Sequence, residues 1–182
     1  SSRNVTVARG ADEGIDCLMQ AFCVPAVDNI IICPPTFAMY AQSATLQGVE
    51  VRKVPLADDF GLDTGGIMAA VDGNTKMVFV CSPNNPTANL MDRDAVIGLC
   101  TALSGRALVV VDETYIDYAD ADSMATELER FENLVVLRTL SKSHAAAGLR
   151  CGVTVARADV TEMLQKVLAP YPVSQPVVQT AL

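Results

Sequence analysis

The sequence predicts an α/β fold with a doubly wound, mostly parallel sheet of seven strands and helices on both faces. Short runs of β-branched residues alternate along the chain with segments of helical periodicity, which is the pattern of successive βαβ units. Several strand-like runs are apolar throughout, as expected for parallel strands that helices cover on both faces. No internal repeat or flexible linker interrupts this alternation.

Seven segments are predicted to be strands because each is a short, mostly apolar run rich in β-branched residues. In chain order they are Asn4–Ala8, Asn29–Cys33, Val49–Val54, Met77–Cys81, Ala107–Asp112, Asn133–Leu137 and Gly152–Ala156. The longest apolar runs in the chain are too short to span a membrane.

Helical periodicity is clearest in three segments, whose apolar residues recur at spacings of three and four. These stripes are Ile15, Leu18, Met19 and Phe22; Val96, Leu99, Cys100 and Leu103; and Val160, Met163, Leu164, Val167 and Leu168. Asp12 and Asp159 are predicted to cap the first and third helices. Gly105 and Pro170 are predicted to end the second and third helices. Ser174–Leu182 is predicted to begin a further helix.

The composition suits a folded domain and does not argue against a small anionic ligand. The 182 residues are enough for one domain, or for one domain and a piece of another, and 51% of them are apolar. The chain begins with Ser-Ser-Arg rather than Met, so its start is expected to be trimmed. The net charge of −8 argues against nucleic acid and anionic membranes as partners, yet one basic pocket could still bind a small anion.

The cysteines are predicted to be reduced thiols that act as small apolar residues. None forms a C-x-x-C pair, and most lie within apolar runs: Cys17, Cys23, Cys33, Cys81, Cys100 and Cys151. A metal site is not predicted, because His144 is the only histidine and the possible ligands are not clustered.

Doubly wound sheets bind ligands beyond the carboxyl ends of their strands, so polar residues that follow strands are candidate site residues. After the first strand, Gly10 allows a tight turn into a helix whose free N–H groups could hold a phosphate, although most such turns bind nothing. After the fourth strand, Ser82–Thr87 places two prolines around two asparagines. This segment is either a rigid surface turn or a loop that directs an amide into the cleft.

Two further strand ends carry charged side chains. Asp112 ends the fifth strand, as in the Walker B strand of ATPases, but no glycine in the chain is followed by lysine, as the phosphate loop of those enzymes requires. Lys142 follows the sixth strand between two serines, with Arg150 eight positions later. Such a lysine is either a solvated charge or, when held near a wall, an amine nucleophile.

Taken together, these segments resemble the fold-type-I pyridoxal-phosphate enzymes, within them the aminotransferases, and most of all the histidinol-phosphate aminotransferases. The matching motifs are Gly10–Glu13, Cys33–Phe37, Ser82–Thr87, Asp112–Tyr115, Thr139–Lys142 and Gly148–Arg150. Their order and spacing agree from one end of the chain to the other. The resemblance covers essentially the whole chain, but only about half of a typical family chain.

The resemblance implies that the cofactor is pyridoxal 5′-phosphate and that three residues are catalytic. Lys142 is expected to form an imine with the cofactor aldehyde and later to shuttle a proton. Asp112 is expected to keep the pyridine nitrogen protonated, which makes the ring an electron sink. Tyr115 and Asn85 are expected to hydrogen-bond the phenolic oxygen.

The remaining cofactor contacts follow from the same resemblance. The phosphate is expected to be bound by five groups: the N–H groups of Ala11 and Asp12, and the side chains of Thr139, Ser141 and Arg150. Phe37 is expected to stack on the ring, where the family often has Tyr, so any hydroxyl role is lost or passes to Tyr40. His144 departs from the family pattern and is expected to pack beside the Lys142 loop.

For the whole protein, the resemblance implies a cytoplasmic homodimer. Residues 1–173 would form the cofactor-binding large domain, and residues 174–182 would begin the helix that leads to a small domain carrying the substrate-binding Arg. The expected reaction transfers the amino group of histidinol phosphate to 2-oxoglutarate in histidine biosynthesis. A phosphothreonine decarboxylase, an aromatic aminotransferase and a non-catalytic binding module on the same fold are the alternatives.

Overall fold

The fold is built on one seven-stranded sheet, and the computed structural model describes residues 1–181. The strands are β1 Val5–Ala8, β2 Asn29–Ile32, β3 Glu50–Lys53, β4 Thr75–Cys81, β5 Leu108–Asp112, β6 Leu134–Thr139 and β7 Gly152–Ala156. They lie in the order β1-β7-β6-β5-β4-β2-β3. All seven predicted strands are confirmed, with bounds that differ by one or two residues.

Only β7 runs against the other strands of the sheet. It is antiparallel to both of its neighbours, β1 and β6, whereas the pairs from β6 through to β3 are parallel. Its first residue, Gly152, is paired with Ala8 of β1 and with Thr139 of β6. The entry to β7 therefore lies at the carboxyl edge of its neighbours, beside the predicted site residues.

The helices cover both faces of the sheet, as predicted. They are α1 Gly10–Phe22, α2 Met39–Leu46, α3 Thr64–Ala70, α4 Arg93–Ala102, α5 Ala158–Val167 and α6 Gln175–Ala181. Helices α1, α2 and α5 contribute Ile15, Tyr40 and Val160 to the apolar core on one face. Helices α3 and α4 contribute Ile67 and Val96 to the core on the other.

Strand side chains alternate between these two cores, which explains the continuous apolar runs in the sequence. In β4, Val78 and Val80 face one core, while Met77 and Phe79 face the other. Because the central strands β2, β4, β5 and β6 are buried on both faces, the positions in their middle are apolar. This construction leaves the strand ends as the places where polar side chains can gather.

Two predicted caps are wrong. Helix α1 begins at Gly10, so Asp12 lies inside its first turn, where its carboxylate pairs with Arg150 instead of capping the helix. Helix α5 begins at Ala158, which likewise places Asp159 inside the first turn. Acidic residues still stabilise a first turn through the helix dipole. The apolar stripe locates the face of a helix, but it does not locate the first residue.

Candidate active site

A cavity of about 160 Å³ opens at the carboxyl edge of the parallel strands, where sheets of this kind bind ligands. Every residue that the sequence predicted for the site lines it: Ala11, Asp12, Phe37, Asn85, Asp112, Tyr115, Thr139, Ser141, Lys142 and Arg150. Cys81, Thr114 and Ala147 complete the wall. Residues from five strand ends thus converge on one small volume.

Asp112 lies at the floor of the cavity as the last residue of β5, and only 2% of its surface is exposed. Its two carboxylate oxygens accept hydrogen bonds from the Tyr40 hydroxyl at 2.7 Å and from the Thr114 backbone N–H at 3.0 Å. Burial nevertheless raises the pKa of the Asp112 carboxyl above its ordinary value, because these donors only partly offset the loss of water. The site therefore contains a carboxylate that favours a cationic partner.

Tyr40 is the most important neighbour of Asp112, and it lies in the first turn of α2 with no exposed surface. Its ring stacks on Phe79 with centroids 4.8 Å apart and meets Phe37 edge-on at 5.6 Å. The resemblance predicted only that any hydroxyl role at Phe37 is lost or passes to Tyr40. The bond to Asp112 crosses 72 positions in the chain, so no local pattern could have indicated it.

The loop after β4 contains both a structural and a site asparagine. Asn84 is buried; its amide nitrogen donates to the Pro35 carbonyl at 2.9 Å and to the Thr87 hydroxyl at 2.7 Å, and its amide oxygen accepts from Thr36 at 3.0 Å. Asn85 lines the cavity. The loop is therefore more than a surface turn: Asn84 is a buried support, and Asn85 lies at the cavity.

The start of α1 and the entry of β7 approach each other very closely. A Cβ atom on Gly152 would lie 2.5 Å from the Gly10 carbonyl carbon and 2.6 Å from the Ala11 nitrogen, so no side chain fits there. Gly10 itself has φ +85°, a conformation that only glycine adopts readily. This contact brings the first N–H groups of α1 to the cavity wall, and it is a feature that the sequence analysis missed.

Arg150 lies beside these N–H groups and brings a guanidinium to the same wall. Its guanidinium is 3.0 Å from the Asp12 carboxylate and 3.5 Å from the Ser141 hydroxyl. The Thr139 hydroxyl in turn donates to Ser141 at 2.9 Å. Helix N–H groups, two hydroxyls and a guanidinium together form a cradle for an anion such as a phosphate.

Lys142 lines the same cavity and is exposed. Its Nζ lies 5.7 Å from the centroid of the Tyr115 ring. The next residue, Ser143, donates to the Asp117 carboxylate at 2.6 Å, and Arg138 pairs with that same carboxylate. The Ser143 hydrogen bond, followed by the Arg138 charge, lowers the pKa of Asp117. The lysine loop is thus fixed to the segment that carries Tyr115.

Two other predictions about polar residues have clear outcomes. His144 is exposed, lies 2.9 Å from the Ser143 hydroxyl and does not line the cavity. All six cysteines are free thiols. Burial raises the pKa of the Cys81 thiol to about 12, so this part of the cavity wall is uncharged at neutral pH. In residues 1–181, no group of three or more acidic, cysteine or histidine side chains could hold a metal ion.

The chemistry of this donor set fits pyridoxal 5′-phosphate. The cradle suits its phosphate, and the buried Asp112 carboxylate, whose two hydrogen-bond donors are both neutral, suits a protonated pyridine nitrogen. A lysine lines the same small cavity. Fold and site together define the class of pyridoxal-phosphate-dependent enzymes with a mostly parallel large-domain sheet.

Comparison with known proteins narrows this class. The family model for aminotransferases of class I and II matches residues 1–182. A histidinol-phosphate aminotransferase of Pectobacterium atrosepticum is 52% identical over 177 residues, which cover 97% of this chain and 49% of that protein. One from Vibrio parahaemolyticus is 51% identical over 175 residues, which cover 96% and 50% of the two chains.

Solved structures agree with the sequence relatives. A protein described as a histidinol-phosphate aminotransferase from Erwinia carotovora atroseptica superposes with a TM-score of 0.91 at 26% identity, covering all of this chain and 54% of the other. Aspartate aminotransferase from Thermotoga maritima gives a TM-score of 0.85 at 28% identity, covering 92% and 46%.

The chain belongs to the class I and II aminotransferase family, whose members are pyridoxal-phosphate-dependent transaminases. The chain spans about half the length of the curated relatives it matches. No helix among the described residues is long and apolar enough to cross a membrane.

Proposed function

We propose that the complete protein transfers the amino group of histidinol phosphate to 2-oxoglutarate, as in histidine biosynthesis. The observation that carries this proposal is the cavity in which a buried carboxylate, a lysine and an anion cradle face one small volume. The choice of substrate is supported by the relatives, which are 51–52% identical over nearly all of this chain and bear that enzyme's name.

In this proposal, the cofactor phosphate is bound where α1 begins. The backbone N–H groups of Ala11 and Asp12 donate to it, together with the hydroxyls of Thr139 and Ser141. Arg150 supplies the full positive charge in a planar fork that matches phosphate oxygens. Asp12 competes for that charge, since its carboxylate lies 3.0 Å from the Arg150 guanidinium.

Four residues orient the cofactor ring. Asp112 pairs with the pyridine nitrogen and keeps it protonated, while Phe37 packs against one face of the ring. Asn85 and Tyr115 donate hydrogen bonds to the phenolic oxygen from the opposite rim of the cavity. When bound, the protonated ring withdraws electrons from the substrate Cα–H bond.

Lys142 performs the proton transfer in this proposal. Its amine would hold the cofactor aldehyde until a substrate amine replaces it. The freed Nζ would then take the proton from the substrate Cα and deliver it to the C4′ carbon of the cofactor. The contacts of Ser143 with Asp117 restrict the loop, which holds this amine near the reacting atoms.

The division of the protein is also part of the proposal. Residues 1–173 form the cofactor-binding domain, and residues 174–182, which include α6, begin the helix that leads to a small substrate-binding domain. We propose a homodimer in the cytoplasm, because the family has its active sites at a subunit interface.

A substrate panel tests this function. The complete protein, loaded with pyridoxal phosphate, is given histidinol phosphate, aromatic amino acids or phosphothreonine with 2-oxoglutarate, and glutamate and carbon dioxide are measured. We expect glutamate to form fastest with histidinol phosphate. Transamination of aromatic amino acids alone, or carbon dioxide from phosphothreonine, would refute the proposed substrate. Cofactor binding without turnover of any amine would indicate a non-catalytic module.

A further inference from the structure

The side chain of Tyr40 is packed between two aromatic rings and also makes a hydrogen bond at the cavity floor. Its ring is fully buried between Phe79, on which it stacks, and Phe37, which meets it edge-on. Tyr40, Phe79 and Phe37 come from α2, β4 and the loop after β2, respectively, so three elements fix the position of the Tyr40 hydroxyl. The hydroxyl then lies 2.7 Å from Oδ2 of Asp112.

Two neutral hydrogen-bond donors stabilise the ionised form of the Asp112 carboxylate. Tyr40 donates to one carboxylate oxygen and the Thr114 N–H to the other. The titratable groups facing it are Asp12 of α1, Cys81 of β4, and Tyr115 and Lys142 across the cavity. Asp12 repels a second negative charge, and the buried Cys81 thiol is neutral.

We propose that Tyr40 is a positioning residue that keeps the Asp112 carboxylate ionised and turned toward the ring nitrogen of the cofactor. This inference rests on the proposed function, in which Asp112 pairs with that nitrogen. A hydrogen bond to a carboxylate favours its charged form over its neutral form. With the Tyr40 bond present, the proton shared by the pair stays on the nitrogen; without it, the proton moves toward Asp112.

The alternative is that Tyr40 only fills space in the core. The substitution Tyr40→Phe separates the two possibilities, because it keeps the ring that packs on Phe79 and Phe37 and removes only the hydroxyl. Tyr118→Phe is the matched control, since it removes a hydroxyl from an exposed tyrosine near the site. The thermal midpoint of each variant shows whether its fold is intact.

The first measurement uses the cofactor-free protein. The ¹³C carboxyl resonance of Asp112, assigned by its loss in Asp112→Asn, is followed against pH. We expect its titration midpoint to rise by about one pH unit in Tyr40→Phe, the effect of one hydrogen bond to a charged group. Tyr118→Phe should leave the midpoint unchanged. An unchanged midpoint in Tyr40→Phe, or an equal rise in both variants, overturns the inference.

The second measurement uses the complete protein with pyridoxal phosphate labelled with ¹⁵N in its ring. In the parent protein the nitrogen should resonate as a protonated pyridine, and in Tyr40→Phe it should shift toward the unprotonated value. The ratio of charged to neutral pair should fall about tenfold, and the shift should vanish on an Asp112→Asn background. If the nitrogen resonates at the same position in the parent and in Tyr40→Phe, the inference about Tyr40 is overturned and the proposed function is not. If the parent binds no cofactor, both the inference and the proposed function are overturned.

Discussion

The buried carboxylate of Asp112 lowers the stability of the fold but serves the proposed function. A buried carboxylate loses its hydration, and here two neutral hydrogen bonds only partly replace it. A protein selected for stability alone would place an apolar or amide side chain at this position. The charge is therefore best explained by the cationic ring nitrogen that we propose as its partner.

The substitution Asp112→Asn tests that role. The fold should persist, since Tyr40 and Thr114 can still donate to an amide oxygen. Pyridoxal phosphate should still bind, though less tightly, and the transamination rate should fall by orders of magnitude because an amide cannot keep the nitrogen protonated. Steady-state kinetics and cofactor titration measure both effects, and near-normal turnover in this variant would remove the proposed role of Asp112.

The same substitution has a predictable effect on the stability of the cofactor-free protein. Folding raises the pKa of the Asp112 carboxyl, so its ionisation destabilises the fold once the pH exceeds the pKa of the unfolded chain. The penalty is absent below that pKa, grows through the window up to the raised folded pKa, and is complete above it. Asp112→Asn removes this penalty.

We therefore expect the thermal midpoint of Asp112→Asn to rise relative to that of the parent as the pH increases from about 4 to about 8. Thermal unfolding of both cofactor-free proteins across this range measures the difference. A difference that is constant with pH, or that reverses, would show that the Asp112 charge is not penalised in the fold.

Sequence reasoning reached the residues of the cavity wall but not how they are connected. Lys142, Asp112 and Arg150 follow strand ends in recognisable motifs, which local sequence can reveal. The Tyr40–Asp112 hydrogen bond and the Gly152–Gly10 contact join distant segments, so they depend on strand order and register. Neither is visible before the sheet is assembled.

At the scale of elements, the loop after β4 is fixed by one buried amide. Asn84 makes three side-chain hydrogen bonds within the loop and to the Pro35 segment. Its neighbour Asn85 lines the cavity and makes no side-chain hydrogen bond among the described residues. Asn84 thus supports the loop, whereas the adjacent Asn85 is available at the cavity.

Alanine substitutions at these two positions should affect different properties, stability at Asn84 and the spectrum of bound cofactor at Asn85. Asn84→Ala should lower the free energy of unfolding by about 1–3 kcal/mol, because its buried partners lose their hydrogen bonds. Each kcal/mol lost corresponds to about 2–4 °C in the thermal midpoint. Asn85→Ala should leave the midpoint nearly unchanged but alter the spectrum of bound cofactor. Thermal unfolding and absorption spectra of both variants test this division, which equal effects on stability would contradict.

The contact between β7 and α1 is a second element-scale feature. Gly152→Ala would place a methyl group 2.5–2.6 Å from the backbone of Gly10 and Ala11, so strand and helix must separate. We expect a loss of stability of about 1–3 kcal/mol and weaker cofactor binding, because the N–H groups of the phosphate cradle move with α1. Gly148→Ala, with open space around its Cβ position, is the matched control. Equal affinities in the two variants would argue against the cradle.

The elements themselves could be predicted to different degrees. The central strands were found readily, because burial on both faces makes their sequences almost wholly apolar. Helix α3 was missed, since its sequence holds two glycines and only Ile67 is buried. Helix α2 was also missed, because it buries the polar Ser43 beside Tyr40 and Ala44 and so lacks a simple apolar stripe.

At the scale of the whole molecule, the sheet order determines which strand ends meet. The central strands β4, β5 and β6 bring Cys81, Asp112 and Thr139 to one edge, and the reversed β7 delivers Arg150 to the same place. Two apolar cores hold this edge rigid from both faces. The assembled site is thus a property of the fold, while each motif alone has an ordinary structural explanation.

The central claim is that Lys142 is the cofactor lysine, and the visible absorption spectrum tests it most directly. The complete protein, Lys142→Ala and Lys166→Ala are each incubated with pyridoxal phosphate, where Lys166 is an exposed lysine of α5 far along the chain from the site motifs. We predict that the parent and Lys166→Ala show the visible band of covalently bound cofactor and that Lys142→Ala lacks it. The absence of the band in the parent, or the same band in Lys142→Ala, would contradict the claim.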